Sequence, residues 1–348
     1  MTRGGLLAAL AVGVATAAAP AAGQEAGPLQ SFKDWVVGCD NLRSCVALGL
    51  SPQGEDNAYL KISRGAAGAD EPTVAFSVLP DAAPAAPSLS LTLDGAPVAG
   101  VPVLQGAASG SYVTAALPAG KARAFVTALK QAKTLTLTLN DGGKASGSFN
   151  VSLAGSAAGL LFMDDRQDRV GGVTALIKTG AAAASAVPAA PHAPEIKAVA
   201  MAPVDRPGAL PAGVAKATED DCRDADPVAV RLSGGRTLWG VCSYQAAYNF
   251  GFRMWIAGPK GAALGNFVAP GETPDDPAEL TNPYLSDDRL TLNALAKGRG
   301  LGDCGEATAW AWDGSTFRLA SLSRFEDCRG VPSEDWPALY RADLVPAD

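Results

Sequence analysis

TLTLTLNDGGKASGSFNVSL, residues 134–153, alternates threonine and leucine, breaks at Asp141-Gly142, and then alternates again. A period of two puts Leu135, Leu137 and Leu139 on one face of a strand and the threonines on the other. The Asp-Gly pair suits the positive φ of a tight turn, so Phe149, Val151 and Leu153 return along a partner strand. The stretch predicts an antiparallel hairpin with one face toward a core, and it sets the fold class as mainly β.

The same signal recurs on either side. SLSLTLDG, residues 88–95, places Leu89, Leu91 and Leu93 on one face and ends in another Asp-Gly turn. AVRLSGGRTLWGVC (229–242) turns at Gly234-Gly235, and ATAWAWDGSTFRLASL (307–322) turns at Asp313-Gly314. Helical spacing appears in KARAFVTALKQA (121–132), where Ala122, Phe125, Val126 and Leu129 form a stripe. DDRQDRVGGVTALIKTG (164–180) predicts a second helix through Val170, Val173, Leu176 and Ile177, capped by Asp164 or Asp165 and closed by Gly180. Its Gly171-Gly172 pair weakens that helix by about 1 kcal/mol per glycine. A short helix is also expected over Leu292–Lys297. The expected fold is therefore mainly β with a few helices: sandwich-like, with α+β character in its first domain.

Composition divides the chain. Residues 181–216 are rich in alanine and proline and hold no aromatic residue, which predicts an extended linker. An N-terminal β-rich domain with two helices (24–180) and a C-terminal, tryptophan-rich antiparallel domain (217–348) flank it; the latter carries five of the six tryptophans. Residues 1–23 read as a signal peptide, with Arg3, an apolar run from Leu6 to Ala19, and the small residues Ala21-Ala22-Gly23. That run falls short of the roughly 18–20 residues of a span, and no other segment is long and apolar enough. The expectation is an exported chain, periplasmic or secreted, with no membrane span in its mature part.

Charge and cysteine use narrow the chemistry. From Gln24 to Lys216 acids and bases balance at 15 each; from Ala217 onward 20 acids face 12 bases. An acidic surface without Lys/Arg clusters excludes nucleic acid as a partner. Cys39, Cys45, Cys222, Cys242, Cys304 and Cys328 form no C-x-x-C pair, and the one histidine, His192, lies in the Ala/Pro-rich stretch. Thioredoxin-like redox chemistry and zinc are thereby disfavoured, and disulfides are the default. Six cysteines permit 15 connectivities. Proximity favours Cys39–Cys45, Cys222–Cys242 and Cys304–Cys328, worth about 2.4 kcal/mol for the first loop and about 3–3.5 for each of the others.

Five segments, in order, carry a resemblance: FKDWVVGCDNLRSCVALG, DDRQDRVGGVTALIKTG, LWGVCSYQAAYN, GDCGEATAWAWDGSTFRL and CRGVPSEDWPALYRA. Together they resemble the bacterial domain-of-unknown-function family numbered 1176. The resemblance implies an exported envelope protein with no established activity. The first half is also similar to the invasion-associated locus B proteins, through the W-x-V-x-C pattern from Trp35 to Cys39, which implies an envelope or host-contact role.

Catalytic motifs give little. Gly300-Leu301-Gly302-Asp303-Cys304-Gly305 matches G-x-G-x-x-G, but a cysteine sits inside it and an alternating strand pattern follows, so a disulfide loop is expected and no cofactor. No G-x-S-x-G or S-x-x-K occurs, and no histidine outside the linker is available as a base. The carboxylate clusters Asp164/Asp165/Asp168, Asp275-Asp276 and Asp287-Asp288 leave a glycosidase-type pair open, though helix capping and solvated turns explain them. They lack the spacing of a calcium loop.

For binding, the WAW stretch puts Trp310 and Trp312 on one strand face about 7 Å apart. Exposed, they would form a platform for a sugar ring or a protein anchor; burial in the core is the favoured reading. Tyr248 and Asn249 are a second candidate contact. The reading is a non-enzymatic, disulfide-stapled binding module whose partner is an envelope protein or glycan. The alternatives are a carboxylate-dependent cell-wall glycan hydrolase and an inhibitor of a cationic enzyme such as a lysozyme.

Overall fold

The structure is a computed structural model that describes residues 25–55, 57–216, 222 and 226–347. The expected signal peptide, residues 1–23, lies outside the described residues. The 134–153 hairpin forms, turning at Gly142-Gly143 rather than at Asp141-Gly142: Thr134–Asp141 pairs with Lys144–Ser152, with Leu135 opposite Val151 and Leu137 opposite Phe149. Gly142 and Gly143 take φ of 56° and 84°, the left-handed region that glycine enters without strain. Thr134–Asp141 also pairs with Pro87–Leu93, and the three strands lie side by side in a five-stranded sheet with Lys144–Ser152 at its edge.

A seven-stranded antiparallel sheet faces it, in the order Leu29–Phe32, Trp35–Cys39, Cys45–Leu50, Ala58–Arg64, Thr73–Val78, Tyr112–Ala116 and Ala107–Ser109. Trp35, Leu60, Ile62, Phe76 and Val113 from this sheet meet Leu89, Leu135, Leu137 and Val151 from the other in one core. Helix α1, Ala122–Leu129, covers that core with the four residues expected, Ala122, Phe125, Val126 and Leu129.

Helix α2 departs from expectation. It spans Ser156–Arg166, and the chain after it turns irregularly rather than continuing as a helix. Val170 and Val173 are exposed, while Leu176 is buried. Gly171 takes a φ of 80°, incompatible with a right-handed helix, so the glycine pair ends the pattern the spacing suggested. Asp164 caps nothing. It is fully buried near the helix end, where Oδ1 accepts from Arg64 Nη2 at 2.7 Å and Oδ2 accepts from the N–H groups of Leu176 and Ile177 at 2.7 and 2.9 Å. Gln167 accepts from Arg64 Nε at 2.6 Å, and Arg169 donates to the carbonyls of Gly68 and Ala67. Burial pulls the Arg64 guanidinium down to about 10, with Asp164 opposing the shift. The motif DDRQDR therefore ties two irregular loops to a strand.

The second half pairs two antiparallel sheets. One contains Val228–Leu232, Arg236–Gln245, Phe250–Gly258 and Gly261–Leu264; the other contains Thr291–Lys297, Gly305–Trp312, Phe317–Phe325 and Ala338–Arg341. Both expected hairpins are present. The helix expected over Leu292–Lys297 is instead the strand Thr291–Lys297, held in register against Gly305–Trp312. A short apolar run fits either period, and cross-strand pairing decides it. All three local disulfides form: Cys39–Cys45, Cys222–Cys242 and Cys304–Cys328. They fit an oxidising compartment.

The Ala/Pro-rich stretch is not an extended spacer throughout. Glu195–Ala198 pairs in parallel with Asp343–Pro346, and Ile196, Ala198 and Met201 are buried. The two halves also share a third core. Val36, Leu48, Leu50 and Tyr59, on the second face of the seven-stranded sheet, pack with Phe325, Val331 and Trp336. This explains why all five residues of Trp35–Cys39 are buried rather than every second one. At Gly38 the approach is so close that a Cβ would lie 2.4 Å from Pro337 Cβ.

Polar contacts line the seam. Arg329 Nη1 donates to Asp34 at 2.8 Å and Nη2 to Asp327 at 2.7 Å, Tyr112 donates to the Gly330 carbonyl at 2.6 Å, and Tyr59 and Lys61 both meet Asp335. Arg341 N–H donates to Asn41 Oδ1 at 2.8 Å, and Arg341 pairs with Asp40. Burial raises the Asp34 carboxyl, but hydrogen bonds from Ser152 and Arg329 outweigh it and hold Asp34 below its ordinary 3.8. Asp303 behaves alike: burial raises it, and Arg299 with the Gly330 N–H outweighs that. Carboxyls lowered on folding stabilise the protein above their unfolded value, and that stability is lost as pH falls through the folded one. The urea midpoint is therefore expected to drop between pH 6 and pH 3; an unchanged midpoint would rule out this role for the seam carboxylates.

Candidate functional site

Trp310 and Trp312 do share one side of the second half, and it is the inside. They are 3% and 0% exposed, so no aromatic platform is presented. Trp310 Nε1 donates to Thr308 Oγ1 at 2.9 Å, Trp312 Nε1 donates to Ser233 Oγ at 3.0 Å, and Arg236 stacks over the Trp312 ring at 4.7 Å. Asn249 is also structural: its amide donates to the Lys297 carbonyl at 2.8 Å and accepts from the Lys297 N–H at 3.0 Å. Tyr248, partly exposed beside it, donates to the Gly298 carbonyl at 3.3 Å. The G-x-G-x-x-G letters form a loop closed by Cys304, and the strand Gly305–Trp312 follows them where a dinucleotide site requires a helix.

What the buried tryptophans do is anchor a loop. Phe267 packs edge-on against Trp310 with centroids 5.5 Å apart and stacks on Phe317 at 4.7 Å. Its N–H donates to the Pro277 carbonyl at 2.8 Å, which fixes the chain on either side. Held this way, residues 266–272 separate two cavities. On one side lies a cleft of about 520 Å³ walled by Ile196, Val268, Phe317 and Leu319, with Arg318 at its edge and Tyr340 in its lining. Such a volume lies within the roughly 300–1,000 Å³ of ligand sites.

On the other side is a smaller cavity of about 150 Å³ with an apolar floor of Phe267, Leu280, Ala294 and Trp310. Its rim carries Glu272, Asp276, Glu279 and Glu306. Most of this acidity is neutralised. Arg324 bridges Glu272, at 2.8 Å, and Glu306; Arg253 Nε donates to Asp276 at 2.9 Å; Glu279 accepts from Ser243 at 2.7 Å. Burial lowers the Arg324 guanidinium, but Glu306 and Glu272 outweigh it and hold the charge above its ordinary value. A third cavity, about 570 Å³, lies on the seam beside Lys33, Asp34, Asp327 and Arg329, where Arg329 already satisfies both carboxylates.

Of the expected carboxylate clusters, Asp164 is buried on Arg64, Asp168 pairs with Arg43, and Asp288 accepts from Ser286 and the Leu290 N–H in a turn. Among the described residues no group of three or more His, Cys, Asp or Glu side chains is placed to hold a metal. No helix of the described residues is long and apolar enough to cross a membrane. Arg318 and Tyr340, at the cleft of about 520 Å³, were not singled out from the sequence. The available signal was the alternation in Phe317-Arg318-Leu319, which points Arg318 outward between two core residues.

The chain is 29% identical over 347 residues to the uncharacterized protein YpfG of Escherichia coli (strain K12), covering 90% of this chain and 93% of the relative. Invasion associated protein B of Bartonella henselae, a crystal structure, aligns with 40% of this chain and 99% of its own at 16% identity and a TM-score of 0.30. The family described as "Protein of unknown function (DUF1176)" matches residues 29–343, and the chain belongs to that family.

Proposed function

We propose that the protein is a non-catalytic binding module of the periplasm or the cell exterior, and that its second half holds the ligand in the cleft between residues 194–196, 266–272 and 316–319. The observation that carries this reading is a cleft of ligand size whose buried Tyr340 makes no side-chain hydrogen bond among the described residues. The ring is buried but the hydroxyl reaches solvent, so it is a donor open to a ligand rather than an orphaned buried group. The neighbouring carboxylates support binding over hydrolysis. Glu272 and Glu306 are both held by Arg324, so the pair is committed to a structural ion bridge rather than left facing a substrate. The three disulfides suit export.

Hydrogen exchange on the full chain, with and without a soluble envelope extract, tests the reading. Slower exchange in 194–196, 266–272 and 316–319 is the expected result. Unchanged exchange in all three segments would overturn the placement of the site.

A further inference from the structure

Two donors in the cleft are uncommitted. Tyr340 is 5% exposed, with its ring in the core of the second half, yet its hydroxyl bonds to none of the described residues. Arg318 is exposed at the cleft edge and makes no ion pair among the described residues. Both line the same cleft; burial raises the Tyr340 phenol, and the Arg318 charge opposes the rise. Two donors lining one cleft, one of them cationic, suit a single anion.

The surroundings select which anion. Glu195 also lines the cleft, and Glu272 beside it is already paired with Arg324, so a dianionic phosphate would meet a single uncommitted arginine next to a carboxylate unpaired among the described residues. A sugar is disfavoured as well, because the aromatic rings Phe317 and Tyr340 are 4% and 5% exposed and offer no face for stacking. Ile196, Val268, Pro270 and Leu319 give the cleft apolar walls. Glu195, which has no ion pair among the described residues, and the exposed Asn266 can meet amide or amine N–H groups.

We propose that the cleft binds the free C-terminal carboxylate of a short apolar peptide, with Arg318 and Tyr340 as its donors; this rests on the cleft being the ligand site. The probe is N-acetyl-trialanine with a free carboxylate, titrated into the full chain by calorimetry beside the same peptide amidated and beside hexanoate. The free acid is expected to bind and the amide not. Arg318→Gln and Tyr340→Phe are each expected to weaken binding about tenfold, the loss typical of a hydrogen bond to a charged group. Both variants should keep the wild-type urea midpoint, since one side chain is exposed and the other retains its ring. Equal binding of acid and amide, or no loss in either variant, would overturn the carboxylate assignment. Hexanoate binding as tightly as the peptide would overturn the peptide stem. Binding of none of the three would overturn the inference, while exchange protection at the cleft separately judges the site itself.

Discussion

Asp164→Ala is expected to destabilise the protein by about 3–5 kcal/mol, the range for removing one partner of a buried ion pair. Asp164 and Arg64 both have fully buried side chains, so the guanidinium left behind would lose its counter-charge where water cannot replace it. The Leu176 and Ile177 N–H groups would lose their acceptor at the same time. Arg64→Met combined with Asp164→Leu should recover only part of the loss, because the two N–H groups stay unsatisfied. Urea unfolding followed by tryptophan fluorescence measures all three variants. A single-variant loss below about 1 kcal/mol would mean that the loop after α2 re-forms its bonds elsewhere.

Trp336→Ala is expected to cost about 3–5 kcal/mol, as large-to-small changes of buried aromatics do. Trp336 is 4% exposed among Val36, Leu48, Leu50 and Tyr59 of the first half, and its Nε1 donates to the Val331 carbonyl at 2.8 Å. The side chain packs between halves that each have their own core, so its loss weakens their coupling as well as total stability. Calorimetry should show one transition in the wild-type protein and a broadened or divided one in the variant. A single sharp transition at an unchanged temperature would show that the seam does not depend on this packing.

The parts of the fold legible in the sequence were those where one face alone is buried. Leu135, Leu137 and Leu139 alternate with threonines because only one side of their strand meets the core, and the helix of Phe125 and Leu129 is similarly one-sided. Trp35–Cys39 gave no such signal of its surroundings, because its second face is covered by residues about 300 positions away. Helix α2 was misplaced since it begins at Gly155 with no side-chain cap, which leaves no start signal to read. In the Ala/Pro-rich stretch, composition masked a real alternation: Glu195 and Lys197 are exposed while Ile196 and Ala198 are buried. The tryptophans were read correctly as core. The cleft itself was not legible, because three chain segments distant in sequence form its walls.

The contact of Asn41 with Arg341 spans 300 positions, and Gly38 lies against Pro337. A chain emerging from its N-terminus can close its first hairpins early, yet Val36, Leu48 and Leu50 stay uncovered until Val331 and Trp336 arrive. Contacts this distant in sequence form slowly, and uncovered apolar sheet is the surface that aggregates or recruits chaperones. A chain cut short before residue 331 would therefore carry a finished hairpin core beside an apolar sheet face left open to water, because the loop of Val331 and Trp336 that covers it would be missing.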